Sequence, residues 1–201
     1  YDVELWHISG HYENYKENMF FTGADDREMA VKPMNCPAST YVYAAQKRSY
    51  RDLPLRYADF GRLHRYEKRG VVTGLFRVRT FVQDDAHIFC RPDQIQEEVT
   101  SLIRLVQYVM EDVFGFEVGI DLSLRGDKRI GSDEVWDVSE AALRQALVAN
   151  GLEFREAAGE GAFYGPKIDF QVTDALKRKW QLSTIQCDFN MPERFNLHYT
   201  T

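Results

Sequence analysis

Arg65-Tyr66-Glu67, a short polar loop, then Phe76-Arg77-Val78-Arg79-Thr80-Phe81 and Gln83-Asp84-Asp85-Ala86-His87 form the stretch that decides the fold. The flanking segments alternate apolar and polar residues, which predicts two antiparallel strands. The loop holds Lys68, Arg69 and Gly70, then Thr73 and Gly74, which is turn chemistry. The hairpin carries an arginine on each strand, a carboxylate two residues after the first and an aromatic four after the second. Two fixed guanidinium groups suit a polyphosphate, because arginine presents a planar fork of donors to phosphate oxygens. An aromatic ring beside them suits a nucleobase face. A carboxylate can accept from an exocyclic amine or help hold a metal. The same residues also suit a solvated, salt-bridged hairpin with no ligand.

Working outward, short strands are expected near residues 29–32, 55–65, 75–88, 116–124, 167–172 and 179–189. A long helix is expected from 92 to 113, with Ile95, Val99, Leu102, Ile103, Val106, Met110 and Val113 on one face. Pro92 and Asp93 suit its first turn and Gly115 its stop. Ser132 is the expected N-cap of a second helix ending near Gly151. A third starts near Pro37 and covers Val42 and Ala45. Parallel βαβ repetition and a Gly-rich phosphate loop are both missing. The fold class is therefore α+β, a mostly antiparallel sheet flanked by helices.

Apolar residues make up 44% and aromatic residues 13% of the 201, as in a globular chain with a sizeable core, compatible with one domain. No stretch approaches a membrane span, and the first residues lack the regions of a signal peptide. Cys36, Cys90 and Cys187 are few and odd in number, which fits a reducing, cytoplasmic setting without a disulfide framework. The net charge of −6 argues against indiscriminate nucleic-acid binding, and DNA is not an expected partner. A local basic cluster does exist: residues 62–79 hold six Arg or Lys against one acid, Glu67. Such a cluster suits ATP, an RNA end or a solvated sheet edge.

The order Arg-x-Glu, loop, Arg-x-x-x-Phe resembles the second signature motif of class II aminoacyl-tRNA synthetases. Further words narrow the resemblance: Lys32-Pro33-Met34-Asn35-Cys36-Pro37, Ser49-Tyr50-Arg51-Asp52-Leu53-Pro54-Leu55-Arg56, Gln83-Asp84-Asp85-Ala86-His87-Ile88-Phe89, Arg129-Ile130-Gly131-Ser132-Asp133-Glu134 and Gly159-Glu160-Gly161-Ala162-Phe163-Tyr164-Gly165-Pro166-Lys167. These are similar to words of the threonyl branch, and the likeness runs from Trp6 to about Arg194. It implies ATP-dependent activation of L-threonine with Mg2+ and transfer to the 3′ end of tRNA(Thr), by a protein that is a homodimer when full length. It also implies that the chain is one partial catalytic domain, 1–201. The first motif would lie mostly upstream of Trp6, with the third motif, editing domain and anticodon-binding domain elsewhere, so the piece alone is expected to be inactive.

Site residues follow from the resemblance position by position. Cys36 and His87 match two zinc ligands, the third being a histidine beyond Thr201. Spacing alone would not have found this site: a lone Cys is more often a small buried hydrophobe and a lone strand His a core residue. Asp85 would accept the threonine hydroxyl. Gln83, Tyr164, Lys167 and Gln186 would line the threonine pocket, and Gln181 would face ATP. Arg65 would hold the α-phosphate, Glu67 the adenine amine or a magnesium ion, and Arg77 the outer phosphates. Phe81 would stack on adenine. His11, after Ser9-Gly10, would assist transfer to the ribose hydroxyl. Cys90 and Cys187 read as packing residues, and His198 is not taken as the missing ligand.

One departure is that many relatives have Gly-His after Cys-Pro, where this chain has Ala38-Ser39-Thr40. Rival readings are a prolyl or seryl class II enzyme, which Cys36 with His87 disfavours, and a non-catalytic paralogue, which the retained site residues disfavour. A plain structural zinc module would need a closed ligand set, which is not found.

Overall fold

The computed structural model describes all residues, Tyr1–Thr201. Backbone contacts divide the chain into two compact units, Tyr1–Cys90 with Met191–Thr201, and Arg91–Asn190.

The first unit opens with two short helices, α1 (Glu4–Ile8) and α2 (His11–Tyr15). Leu5, Trp6, Met19 and Ala30 form its small core, with Tyr12, Tyr15, Phe21 and Phe195 packed around them. A hairpin follows, β1 (Phe21–Ala24) with β2 (Arg27–Ala30). Its two turn residues, Asp25 and Asp26, both have positive φ, the geometry whose twist matches a two-residue hairpin. Only the second of these strands was expected. Then comes α3 (Cys36–Ala44), which buries Pro37, Ser39, Thr40 and Tyr43. It begins near Pro37 as expected and spans Val42, with Ala45 as its C-cap.

The stretch that opened the sequence reading folds as one long hairpin in two pieces. β3 (Leu55–Asp59) pairs with β6 (Asp85–Phe89), and β4 (Arg62–His64) pairs with β5 (Thr80–Val82). One register runs through both ladders, interrupted by Phe60-Gly61 on one side and Gln83-Asp84 on the other. The expected unbroken strands over 55–65 and 75–88 are therefore corrected. The break has a local cause. Asp59 Oδ1 accepts from the Gly61 N–H at 2.7 Å, a turn-forming bond that competes with the ladder. A Cβ on Gly61 would stand 2.4 Å from Lys32 Nζ and 2.7 Å from Asp59 Oδ1, so a larger residue there would have to displace those side chains. Residues 65–79 form a loop rather than strands, closed by the Arg65 N–H donating to the Arg79 carbonyl at 2.9 Å. Arg65 thus lies opposite Arg79 and not Arg77.

The second unit is a four-stranded sheet under two helices. α4 (Ile95–Gln107) runs on into a π-helical turn at Tyr108–Val113, and Gly115 ends it with positive φ. α5 (Asp133–Ala149) starts at Ser132, whose Oγ accepts from the Val135 N–H at 3.4 Å. The strands are β7 (Val118–Ser123), β8 (Arg155–Ala157), β9 (Lys167–Thr173) and β10 (Lys179–Gln186), in the order β10-β9-β7-β8. β8 was not expected, and its pairing with β7 is parallel, so β7-α5-β8 is one βαβ unit in an otherwise antiparallel sheet. Arg125 ties the end of β7 to α5, its Nη2 donating to Glu140 Oε2 at 2.8 Å. No helix is long and apolar enough to cross a membrane.

Period-two alternation sorts the sheet's faces. Leu122, Ile168, Phe170 and Ile185 pack with Val99 and Ile103 of α4 and Leu143, Ala146 and Leu147 of α5. The residues between them on the strands are polar, among them Ser123, Lys167, Asp169, Gln171 and Thr184. Leu143→Ala, at a site with no exposed surface, is expected to cost ~2–5 kcal/mol of unfolding free energy. Val148→Ala, on the exposed side of the same helix, should stay within about 0.5 kcal/mol. Urea titrations of the two variants check this.

Candidate active site

In the first unit the site is hung on residues 32–36. The Lys32 carbonyl accepts from the His64 N–H at 2.9 Å. The Pro33 carbonyl accepts from Arg65 Nε at 3.2 Å. Met34 Sδ lies 3.0 Å from His11 Nε2. Asn35 Nδ2 donates to Asp85 Oδ2 at 2.9 Å. Cys36 then opens α3, which packs on β6, with Tyr43 stacked on Phe89 at 4.7 Å. One short segment therefore meets both pieces of the hairpin.

On β6, Asp85 and His87 are two residues apart and share a face. His87 faces Tyr57 across the ladder and Asp85 faces Asp59. His87 Nδ1 is buried and has no hydrogen-bond partner. Burial pushes the His87 imidazole down, opposed by Asp85 and Asp59, and the net direction is downward. A neutral ring with an unused nitrogen is the state a metal ligand needs. No group of three or more His, Cys, Asp or Glu side chains stands together as a metal site. Cys36 and His87 are donors of the kinds zinc takes, on elements that touch.

The residues expected to hold ATP engage one another. Arg77 Nη2 lies 3.2 Å from Glu67 Oε2, and Arg79 Nε donates to the Glu67 carbonyl at 2.9 Å. Glu67 is buried, whereas Arg77 is exposed. The Arg65 guanidinium sits over the Phe81 ring, 5.0 Å from its centroid. Gln83 is exposed, in the break between β5 and β6.

His11 has no exposed surface. Ser9 Oγ donates to the Trp6 carbonyl at 3.2 Å, so it accepts from His11 Nδ1–H at 2.8 Å. That leaves Nε2 as the unprotonated nitrogen, facing Met34. Burial first, and the Arg65 charge second, push the imidazole down to about 4. As it stands His11 is a core residue, and contact with a ribose hydroxyl would require Met34 to move.

The second unit carries Tyr164, Lys167, Gln181 and Gln186. Tyr164 Oη donates to Gln186 Oε1 at 2.7 Å, and the Tyr164 carbonyl accepts from Asn190 Nδ2 at 2.8 Å. Lys167 Nζ and Gln181 Nε2 reach the two oxygens of one carboxylate, Asp169, at 2.7 and 2.8 Å. Ser123 and Thr184 complete that cluster. The sequence reading missed Asp169, Ser123 and Thr184. A signal was present, since Asp169 follows Lys167 by two residues and so shares its strand face.

The chain matches the tRNA synthetase class II core domain (G, H, P, S and T) over residues 17–201. It is 55% identical over 198 residues to a threonine–tRNA ligase of Campylobacter lari, covering 98% of this chain and 33% of that protein. It is 56% identical over 200 residues to one from Bdellovibrio bacteriovorus, covering 100% of this chain and 30% of that protein. A crystal structure described as the RNA binding domain of threonyl-tRNA synthetase from Cryptosporidium parvum Iowa II superposes with a TM-score of 0.96 at 48% identity, covering 99% of this chain and 50% of that one. A putative threonyl-tRNA synthetase from Aeropyrum pernix gives 0.86 at 38%, covering 98% and 47%. The chain belongs to the class II tRNA synthetase core family, with a mixed fold of helices and mostly antiparallel strands. It spans about a third of the length of the curated relatives it matches.

The His11 environment makes a pH prediction. An imidazole at 6.5 in the unfolded chain and about 4 in the folded one means that the unfolded chain binds more protons between those values. Stability therefore falls as pH drops from 6.5 toward 4, by up to about 1.4 kcal/mol per pH unit from this group. The His11 Cε1 proton resonance should stay flat from pH 8 to 5.5. A midpoint near 6.5 would contradict the buried, neutral assignment.

Proposed function

We propose that the chain is part of a threonine–tRNA ligase, which activates L-threonine with ATP and transfers it to the 3′ end of tRNA(Thr). The observation that carries this reading is that residues 32–36 hold Arg65 through the Pro33 carbonyl and Asp85 through Asn35, with Cys36 opening the helix that touches the strand of His87, together with about 55% identity to threonine–tRNA ligases. In the first step the threonine carboxylate attacks the α-phosphorus of ATP and pyrophosphate leaves. In the second the terminal ribose hydroxyl of tRNA attacks the adenylate carbonyl and AMP leaves.

Arg65 is assigned to the α-phosphate, where negative charge develops. A fixed cationic donor there stabilises the transition state more than the ground state. For ATP to bind, Arg77 must exchange Glu67 for the outer phosphates, and Arg65 must leave the Phe81 face to adenine. Glu67 is then available to the adenine amine or to magnesium. Gln181 is given to ATP, and Gln83, Tyr164, Lys167 and Gln186 to threonine. His11 is given to the transfer step, as the neutral imidazole. Dimer formation and a cytoplasmic setting belong to the same proposal for the full-length protein.

Cys36 and His87 would supply two zinc ligands, with a third outside these 201 residues. Such a zinc, when bound, would offer open positions to the amine and hydroxyl of threonine, and valine, which lacks the hydroxyl, could fill only one of them. Asp85, held by Asn35, accepts the hydroxyl hydrogen. Threonine and valine are nearly isosteric, and an apolar pocket separates such a pair by only ~100-fold. Serine keeps the hydroxyl and lacks one methyl, worth ~1–3 kcal/mol, so it is rejected weakly.

In the full-length protein, ATP–pyrophosphate exchange should depend on threonine, run weakly with serine and hardly with valine. Equal exchange with valine would sink the hydroxyl-reading assignment. Cys36→Ala and His87→Ala should each lower bound zinc, measured by elemental analysis, along with exchange. Full zinc stoichiometry in either variant would refute that ligand.

A further inference from the structure

Asp169 is 3% exposed and stands at the centre of the polar face of the second unit's sheet. Its Oδ1 accepts from Gln181 Nε2 at 2.8 Å and Thr184 Oγ1 at 2.9 Å. Its Oδ2 accepts from Lys167 Nζ at 2.7 Å and Ser123 Oγ at 2.7 Å. These donors come from β7, β9 and β10, so the carboxylate ties three strands together on one face. Four donors use the four lone-pair sites of an ionised carboxylate, and no other side chain of this size is acceptor-only.

We infer that Asp169 is a positioning residue, which fixes the Lys167 ammonium and the Gln181 amide in the orientation that substrate meets. The inference rests on the reading of Lys167 and Gln181 as substrate-contacting residues. The donors divide into two kinds. The hydroxyls of Ser123 and Thr184 can turn and accept instead. The ammonium of Lys167 has only donors. Each oxygen of Asp169 receives one hydroxyl and one of the two substrate-facing groups. An asparagine at 169 must therefore aim its NH2 at one of these groups. Aimed at Lys167, it sets donor against donor. Aimed at Gln181, it forces that amide to turn over and present oxygen where nitrogen was. In both arrangements Lys167 loses its buried counter-charge.

The test uses the full-length protein with Asp169→Asn, and Asp121→Asn as a control. Asp121 is a second strand carboxylate of this unit, paired with Arg155 and making none of the Asp169 bonds. Asp169→Asn should raise KM for threonine and for ATP by about 10- to 100-fold, with kcat moved less. Asp169→Glu, still an acceptor-only carboxylate, should bring both within about threefold of wild type. Asp121→Asn should leave both unchanged. A readout independent of activity is the rate at which acetic anhydride labels Lys167, followed by peptide mass spectrometry. Labelling should quicken several-fold in Asp169→Asn.

Unchanged KM together with unchanged labelling would overturn the inference. Faster labelling with unchanged KM would support the anchoring of Lys167 and refute its contact with substrate, and so separates this inference from the reading beneath it. Should Asp169→Asn fail to fold, wild-type protein still decides. Lys167 and Lys32 have similar side-chain exposure, 16% and 13%, but Lys32 reaches its carboxylate only at 3.5 Å. Lys167 should label more slowly than Lys32, and equal rates would overturn the anchoring.

Discussion

The hydrogen bond from Asn35 Nδ2 to Asp85 Oδ2, 2.9 Å long and sealed from solvent at Asn35, is the contact on which the first unit's site depends. It joins the entry of α3 to β6, and so sets Cys36 beside the strand that carries Asp85 and His87. Two residues earlier the same segment receives Arg65 through the Pro33 carbonyl. Pro33 has no N–H to satisfy and a fixed φ, which suits a buried bend. Asn35 occupies one lone pair of Oδ2, so Asp85 is oriented while its carboxylate keeps further acceptor capacity.

The long hairpin meets a second constraint. A side chain's face is fixed by parity, so a one-residue slip would turn His87 and Asp85 away. The break at Phe60-Gly61 and Gln83-Asp84 leaves two residues unpaired on each side, which preserves register through the bend. Gly61 leaves room at that bend for Lys32 Nζ and Asp59 Oδ1, which a Cβ would have to displace. Beyond β4 and β5 the ladder stops, and the loop carries Glu67 and Arg77 as a mutually neutralising pair. Arg77 is the exposed partner and Glu67 the buried one, so a Glu67 carboxylate left by Arg77 would need another partner.

How far the sequence could be read varies with the kind of signal. α4 and α5 were legible because long periodic faces, Ser132 and Gly115 all agree. The family was legible from the order of Arg65, Glu67, Arg77 and Phe81 and the words around Cys36 and His87. Three features were not. The break in the hairpin depends on Asp59 folding back on Gly61, a competition that alternation does not reveal. β8 is three residues long, too short for a period to register, yet it supplies the one parallel strand pairing of its sheet. The Asp169 cluster arises from register between β7, β9 and β10, including an irregularity at Gln181/Ser183, and no local pattern encodes that. His11 shows the converse, a motif residue whose surroundings are those of a core histidine.

The central claim is that Cys36 and His87 belong to one zinc centre in the full-length protein. X-ray absorption at the zinc K-edge tests it without reference to turnover. The account predicts a mixed shell, one sulfur at about 2.3 Å with nitrogens at about 2.0–2.1 Å, and added light-atom scattering when threonine is present. A shell without sulfur, or one of four sulfurs, would contradict it.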